Sequence, residues 1–571
     1  MFIDSFSKIV RKKERKQRMI HLTEGQYTIK NMVLECAKSY NNQLALTTYK
    51  KPETSLTFRD LESKARTIAA FLIGNGVEKG TTIAILSESC PNWGLSYFAS
   101  NMAGAIAVPI LPNFSKEEVQ RILTHCEAKF VFVNNANAKK VEGAKIKVIR
   151  IEDMSYIPQK ELKYLATENF ENLSGLGIEN EIILPEDEAK LAKQCPNEDD
   201  IASIIYTSGT TGTPKGVMLT NKNLVWNAKV CSTPFIKIHK GWKALSILPL
   251  SHVYEFTIGL LLILMNGASV TYLGKAPSVG SLMPALKEVR PQIMLTVPLL
   301  IEKVYRRAIQ PKFKEGTKLN KLLKHKLLQK PIYHLIGKKI IKTFGGRMKF
   351  FGVGGSKLDP QVEEFLAKAN FPYALGYGLT ETSPFIAGCG PKDHKVGTLG
   401  KVLDGLDVRL SQEDNEIQIK GPTVMKGYFK MPELTNEAFT EDGYFRTGDL
   451  GAFEKGRLAI KGRSKSLILG ANGENIYPDT IETLINAQEY VIESLVIPEN
   501  ASLTAMVRLD LQALQRALGS INIQEFLENL KQQINLKLSS FSKINNIKLQ
   551  EVPFERTPTE KIKRYLYTKA M

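Results

Sequence analysis

Residues 201–216 constrain the fold of this chain more than any other stretch. The run 201–205 has the length and β-branched content of a buried strand. Directly after it come Thr207, Ser208, Gly209, Thr210, Thr211, Gly212, Thr213, Pro214, Lys215 and Gly216. Such a loop offers a polyanion backbone N–H groups, hydroxyls and one ammonium, because glycine lets the backbone approach oxygen closely. A triphosphate is the natural guest, and a Gly/Ser/Thr surface turn is the plain competing explanation. A Walker loop is excluded, since Lys215 precedes Gly216 and no Gly-Lys-Ser/Thr occurs.

The pattern on either side predicts an α/β protein. Thr57 with Asp60 fits a helix N-cap, and Leu61, Ala65, Ile68, Ala69 and Leu72 recur at helical spacing up to Gly74. Strands are expected at 83–86, 106–110 and 130–133, with helices at 93–102 and from a Ser115/Glu118 capping box to His125. Strands alternating with helices imply parallel βαβ units, and the rhythm persists to Tyr373. Residues 152–200 are polar, acidic and poorly periodic, and are expected to form a connector. Beyond Gly400, short alternating stretches at 407–410, 416–420 and 458–461 predict a small β-rich subdomain. After Gly462 the tail predicts a helix starting at Pro478, strands near 491–497 and 505–509, and a helix from about Ile523. At 571 residues at least two domains are expected, with the boundary near 463–466.

Charge is distributed unevenly. The net charge is +19, and residues 311–343 hold ten lysines against one acid, Glu315. A second cluster, Lys8, Arg11, Lys12, Lys13, Arg15, Lys16 and Arg18, follows Phe2, Ile3, Phe6, Ile9 and Val10. Basic residues beside apolar ones suggest peripheral contact with an anionic membrane; a solvated basic face is the alternative. Nucleic acid is the other polyanion, but no nucleic-acid-binding motif is present, and none is expected as a partner. No run reaches the ~18 apolar residues of a membrane span; 256–265 predicts a buried helix. Residues 1–18 do not resemble a secretory signal, and the six cysteines lack metal-ligand spacing. A cytoplasmic protein is expected, with the inner membrane face as its possible peripheral seat.

Three further groups of residues can carry chemistry. Gly355 and Ser356, then Gly376, Tyr377, Gly378, Leu379, Thr380 and Glu381, place glycines at a strand end, where ligands of α/β sheets bind. An aromatic there can stack a purine, a hydroxyl can reach phosphate, and a carboxylate can hold Mg²⁺. Asp449, after Arg446, Thr447 and Gly448, is a natural acceptor for paired ribose hydroxyls. His252, in Leu248-Pro249-Leu250-Ser251-His252, would by itself more often be structural.

Together these motifs, with Gly462-Arg463-Ser464-Lys465-Ser466 and Thr557-Pro558-Thr559-Glu560-Lys561, resemble in order the adenylate-forming acyl-CoA synthetase family. The resemblance runs from about Tyr27 to Arg564. It implies a large N-terminal adenylate-forming domain, 27–462, of parallel βαβ subdomains plus a small β subdomain. A small mobile α+β C-terminal domain, 463–571, would follow, and a basic segment, 1–26, would precede. It places Thr207, Ser208, Gly209, Thr210, Thr211, Gly212 and Lys215 on the phosphates and Gly355, Ser356, Tyr377 and Gly378 at adenine. Thr380 would reach the phosphates, Glu381 magnesium, Asp449 ribose, and Arg463 the nucleotide. Lys561 would serve acyl-adenylate formation, His252 would lie beside the acyl pocket, Lys465 would be the hinge, and Gly473 would pass the pantetheine arm. Ser466 stands where many relatives have an acid, and Glu560 where they usually have glycine. An aromatic borders the acyl tunnel in long-chain members, and Phe256 is expected to fill that place. Residues 302–344, Thr296-Val297-Pro298 and Gly354-Gly355-Ser356 resemble long-chain fatty acyl-CoA synthetases. The implied substrates are ATP with Mg²⁺, a medium- or long-chain fatty acid, and CoA. Acyl carrier protein as acceptor is the nearest alternative, because a basic surface suits that acidic partner. An inactive lipid-surface adaptor is another, against which the intact Thr380, Glu381, Asp449, Arg463 and Lys561 argue.

Overall fold

The computed structural model describes residues 19–158, 176–178, 185–207, 214–232, 235–313, 316–469, 475–499, 502–519, 522–557 and 562–568. Two nine-stranded sheets form its frame. In one, strands Tyr373–Gly378, Phe350–Val353, Ile293–Thr296, Lys243–Ser246, Ser269–Tyr272 and Leu44–Thr48 lie side by side and parallel. In the other, the parallel strands are Ile201–Thr207, Ile106–Ile110, Thr82–Leu86, Phe130–Val133 and Lys147–Arg150. The antiparallel strands are at the edges of both.

The period of two along each strand fixes how the sheets are covered. Ile83 and Ile85 enter one hydrophobic cluster and Ala84 and Leu86 another. Ile293 and Leu295 share the first cluster, whereas Met294 enters a third. The first cluster also contains the apolar faces of helices Phe58–Gly74, Pro91–Met102 and Asn221–Cys231. These helices therefore fill the space between the sheets, and separate helices cover each outer face. Both expected capping boxes start their helices. The Thr57 hydroxyl accepts the Asp60 N–H at 3.1 Å, and Ser115 accepts that of Glu118 at 3.2 Å.

Residues 152–200 are more than a connector. They contain strands Ser155–Ile157 and Leu176–Gly177 and helix Pro185–Lys193, whose first turn carries Glu186, Asp187 and Glu188. Those acids suit the positive end of a helix, which explains their density. The helix expected over 256–265 is buried, but it begins as a π-helix, Glu255–Leu261, and turns α only at Leu262–Met265. Four antiparallel strands, Asp407–Leu410, Glu416–Lys420, Phe445–Glu454 and Arg457–Arg463, form the small β subdomain.

The tail builds its own core. Strands Val491–Glu499, Ser502–Leu509 and Asn546–Leu549 form a sheet, packed with helices Pro478–Asn486 and Ile523–Asn535. Among the described residues, no hydrophobic cluster spans both sides of residue 465. Arg306 makes a polar link across this divide. Its guanidinium meets Asp359 at 3.0 Å and also donates to the carbonyl of Asn486, at the end of the Pro478–Asn486 helix.

Candidate active site

The strands on either side of residues 208–213 pair antiparallel. Strand Lys215–Thr220 returns antiparallel to Ile201–Thr207, with Thr207 directly opposite Lys215. Ser208, Gly209, Thr210, Thr211 and Gly212 lie outside the described residues. Thr207 and Lys215 thus hold the two ends of the expected phosphate loop at adjacent positions on one sheet.

Residues 425–429 sew this hairpin to the turn carrying Glu381. Met425 N–H donates to the Glu381 carbonyl at 2.8 Å, Lys426 N–H to the Met218 carbonyl at 2.9 Å, and Phe429 N–H to the Gly216 carbonyl at 2.7 Å. Tyr428 in this seam touches both functional side chains. Its hydroxyl donates to Glu381 Oε1 at 3.0 Å, and Lys215 Nζ lies 5.4 Å from its ring centre. Burial first, then the Glu381 carboxylate, push the Tyr428 hydroxyl far above its ordinary range, so it remains a donor. Thr380 and Glu381 occupy a short 3₁₀ turn, pinned where the Thr382 hydroxyl accepts the Leu379 N–H at 3.0 Å. Gly378 is required before that turn, because a Cβ there would collide with the Pro384 carbonyl.

Tyr377, Asp449 and Arg463 form a second group. The Tyr377 hydroxyl donates to Asp449 Oδ2 at 2.9 Å, and Arg463 Nε meets Asp449 Oδ1 at 3.1 Å. Asp449 and Arg463 are register partners on adjacent strands, which places the two side chains together. Asp449 is buried while Arg463 reaches solvent. Burial and the neighbouring carboxylate drive the Tyr377 hydroxyl well above its usual range, so Asp449 receives a proton donor and a cation together. The pair holds the carboxylate in one orientation at the end of the Tyr373–Gly378 strand.

The glycines at 352–355 divide their work. A Cβ at Gly352 would approach Leu295 at 2.6 Å, and one at Gly354 would press on the Tyr254 ring at 3.1 Å. Both make room for side chains of the protein. Gly355 is exposed with φ +86°, and Ser356 beside it is also exposed, so these two form the open lip.

Tyr254, Ile258 and Leu262 recur every four residues and line a small apolar cavity with Leu295, Phe385 and Gly376. Phe256 does not line it, contrary to expectation. Two positions along a helix is nearly half a turn, so its ring faces away, 4.1 Å from Tyr97 and 5.9 Å from Trp93 between ring centres. His252, partly exposed, precedes this helix, and its Nδ1 accepts the Tyr254 N–H at 3.4 Å. Lys465 lies in a 3₁₀ turn, Ser464–Ser466, directly after the Arg463 strand. Gly473 and Lys561 lie outside the described residues.

Two residues here escaped sequence reasoning. Tyr428 lies in a two-residue strand that no spacing marks. Glu255 is fully buried, and burial pushes its carboxyl up to about 8, so it is protonated at neutral pH. A Cβ at Gly259 would lie 2.7 Å from its carboxyl carbon, so the glycine gives it room. The signal was present: one acid in an otherwise apolar run.

The model of the AMP-binding enzyme family matches residues 34–429, more than half of the chain. The chain belongs to that family. Among its relatives is the long-chain-fatty-acid–CoA ligase FadD15 of Mycobacterium bovis, 29% identical over 559 residues and 90% of each chain. The peroxisomal long chain acyl-CoA synthetase 6 of Arabidopsis thaliana is 27% identical, over 89% of this chain and 79% of that one. Among solved structures, ATP-bound MatB from Rhodopseudomonas palustris superposes with a TM-score of 0.72 at 22% identity, covering 95% of this chain and 98% of that one. MenE from Bacillus subtilis, in complex with ATP and magnesium ion, gives 0.70 at 20% identity, over 94% and 98%. These two likenesses establish the adenylate-forming fold. Ser208 to Gly212 and the two seam partners, Lys215 and Glu381, fall inside the matched residues of this AMP-binding family member; Asp449 and Arg463 lie beyond them.

Proposed function

We propose that this AMP-binding enzyme activates a medium- to long-chain fatty acid with ATP and passes the acyl group to CoA. A carboxylate oxygen attacks the α-phosphorus, the bond to the bridging oxygen breaks, and pyrophosphate leaves. The thiol sulfur then attacks the acyl carbon of the acyl-AMP, and AMP departs with the bonding pair. The observation that carries this reading is the seam at 425–429, which brings Lys215 and Glu381 onto one tyrosine. Positioning and charge neutralisation are what phosphoryl chemistry demands of a protein.

Glu381 suits Mg²⁺, because that ion is held by one or two carboxylates together with substrate phosphates. Among the described residues no cluster of three or more potential ligands occurs, so Glu381 would share the ion with substrate phosphates rather than with an all-protein cage. Bound there, the ion would neutralise phosphate charge. Lys215 and the hydroxyls and glycines from Thr207 to Gly212 answer the phosphates, with Thr380 beside them. Tyr428 orients Glu381. Asp449, oriented by Tyr377 and Arg463, takes the ribose hydroxyls, and the open lip at Gly355 and Ser356 takes the base together with Tyr377 and Gly378. Lys561 supplies positive charge where carboxylate and α-phosphate meet, and His252 is assigned to the side of the acyl chain. The curated relatives named for long-chain fatty acids support the choice of substrate.

The proposed division is a basic segment 1–26, an adenylating domain 27–462, and a mobile domain 463–571 turning about Lys465, with Gly473 on its thiol face. The basic surface keeps acyl carrier protein as a second acceptor. The test is ATP–pyrophosphate exchange with Mg²⁺ against carboxylates of graded length, followed by thioester formation with CoA or acyl carrier protein. Exchange that depends on a long-chain acid is expected; exchange that proceeds equally well without any carboxylate would overturn the acyl-adenylate assignment.

A further inference from the structure

Residues 316–343 carry eight lysines and no acid. They fold into helices Lys318–Leu323 and Lys326–Thr343. The longer helix is fixed to the protein by one face. Tyr333, Gly337, Ile340 and then Phe344 follow at spacings of four, three and four and point inward. Tyr333 lies 5.8 Å from Phe313 and 6.1 Å from Phe365 between ring centres. A Cβ at Gly337 would collide with the Ala369 carbonyl, so helix and protein are in backbone contact there. The hairpin is therefore held rigidly against the Pro360–Lys368 helix.

Its other face is also apolar, and it stays exposed among the described residues. Leu327 is 93% exposed, Leu335 65%, Leu322 48% and Leu328 42%. Leu328, Leu335, Lys339 and Lys342 follow at seven, four and three, half a turn from the inward face. Lys321, Lys324, Lys326, Lys330, Lys338, Lys339 and Lys342 are all exposed around these leucines. A polar partner would have no use for four exposed leucines, and a neutral apolar one no use for the lysines. One partner satisfies both: an anionic lipid surface, with leucines entering the acyl boundary and ammonium groups among the headgroups.

We propose that the outward face of the 318–343 hairpin docks the protein on anionic bilayers. Each lysine near such a surface contributes attraction equivalent to about 5-fold in affinity, screened by salt. The inference is independent of the substrate assignment, since docking is measured without ATP or acid.

The experiment is cosedimentation of the full chain with vesicles of phosphatidylglycerol and phosphatidylcholine, compared with phosphatidylcholine alone. Wild type is expected to bind the mixed vesicles at low salt, lose most binding at high salt, and ignore neutral vesicles. Leu327→Ser with Leu335→Ser, which leaves the charge unchanged, should weaken binding about 10-fold. Lys338→Gln with Lys339→Gln should weaken it about 25-fold. Circular dichroism and ATP–pyrophosphate exchange with a water-soluble carboxylate should match wild type in both variants, because these four side chains are mostly exposed. Unchanged binding of the leucine pair with loss only in the lysine pair would overturn the proposal in favour of a polar polyanion such as nucleic acid or an acidic protein. Equal binding to neutral vesicles, no binding at all, or full binding in both variants would also overturn it.

Discussion

At the scale of single residues, each important carboxylate is defined by what its neighbours do to it. Glu381 is aimed by Tyr428. Glu381→Gln is expected to lower Mg²⁺-dependent exchange roughly 100-fold. Tyr428→Phe, which deletes only the aiming hydroxyl, should raise the Mg²⁺ needed for half-maximal exchange about 10-fold. A titration of exchange rate against Mg²⁺ separates the two variants. Glu255 is the opposite case, a carboxyl kept neutral by burial, at about 8 against an ordinary 4.5. The unfolded chain releases this proton near the ordinary value and the folded chain releases it only near 8. Its stabilising effect is therefore complete below about 4.5 and lost as pH rises through 8. Glu255→Gln carries no such proton, so its stability relative to wild type should improve by a few kcal/mol between pH 5 and pH 9. Thermal melts of both proteins at the two pH values decide; parallel curves would mean that the buried carboxyl does not titrate as described.

At the scale of elements, the π-helical start at Glu255–Leu261 sets which side chains line the cavity. Phe256→Ala should cost about 3–5 kcal/mol by emptying the space against Tyr97 and Trp93, yet leave the preferred acid length unchanged. Ile258→Trp, which overfills the cavity, should cost about 1–3 kcal/mol and lower kcat/KM for the longest acids about 10-fold. Exchange assays over graded acids, beside melting curves, check both. This contrast also marks what could be read from the sequence. The helix itself was legible from its apolar run, as were the capping boxes at Thr57 and Ser115 and the strands at 130–133, 407–410 and 416–420, because each is a local pattern. The direction of Phe256 was not, since it depends on where the helix sits between neighbours that are remote in sequence. Tyr428 was illegible for the same reason: its role comes from the pairing of Gly427–Tyr428 with the 215–220 strand. Lys215, Glu381, Asp449 and Arg463 could be named from motifs, but only the fold places them in two groups, one gathered on Tyr428 and one on Asp449.

At the scale of the whole molecule, the proposed reaction asks one site to serve two half-reactions, and the proposed 463–571 domain includes both Lys561 and Gly473. If that domain turns about Lys465, each half-reaction loses a different residue. Lys561→Ala should lose at least 100-fold in acyl-AMP formation while still converting supplied acyl-AMP to thioester. Gly473→Leu should form acyl-AMP and stall. Lys465→Pro should impair whichever step needs the orientation not occupied, because proline restricts the backbone at the pivot. Separate assays of the two steps are the measure, and equal losses in both for Lys561→Ala and Gly473→Leu would rule the rotation out. Arg306 makes one of the polar contacts that hold the described orientation. The guanidinium that pairs with Asp359 also takes the carbonyl end of the Pro478–Asn486 helix, and a partly exposed pair of this kind contributes at most about 1 kcal/mol. Among the described residues no hydrophobic cluster crosses the divide to add to it. If the domain turns as proposed, this contact would work as a catch with a weak spring, favouring one angle and yielding readily to the next.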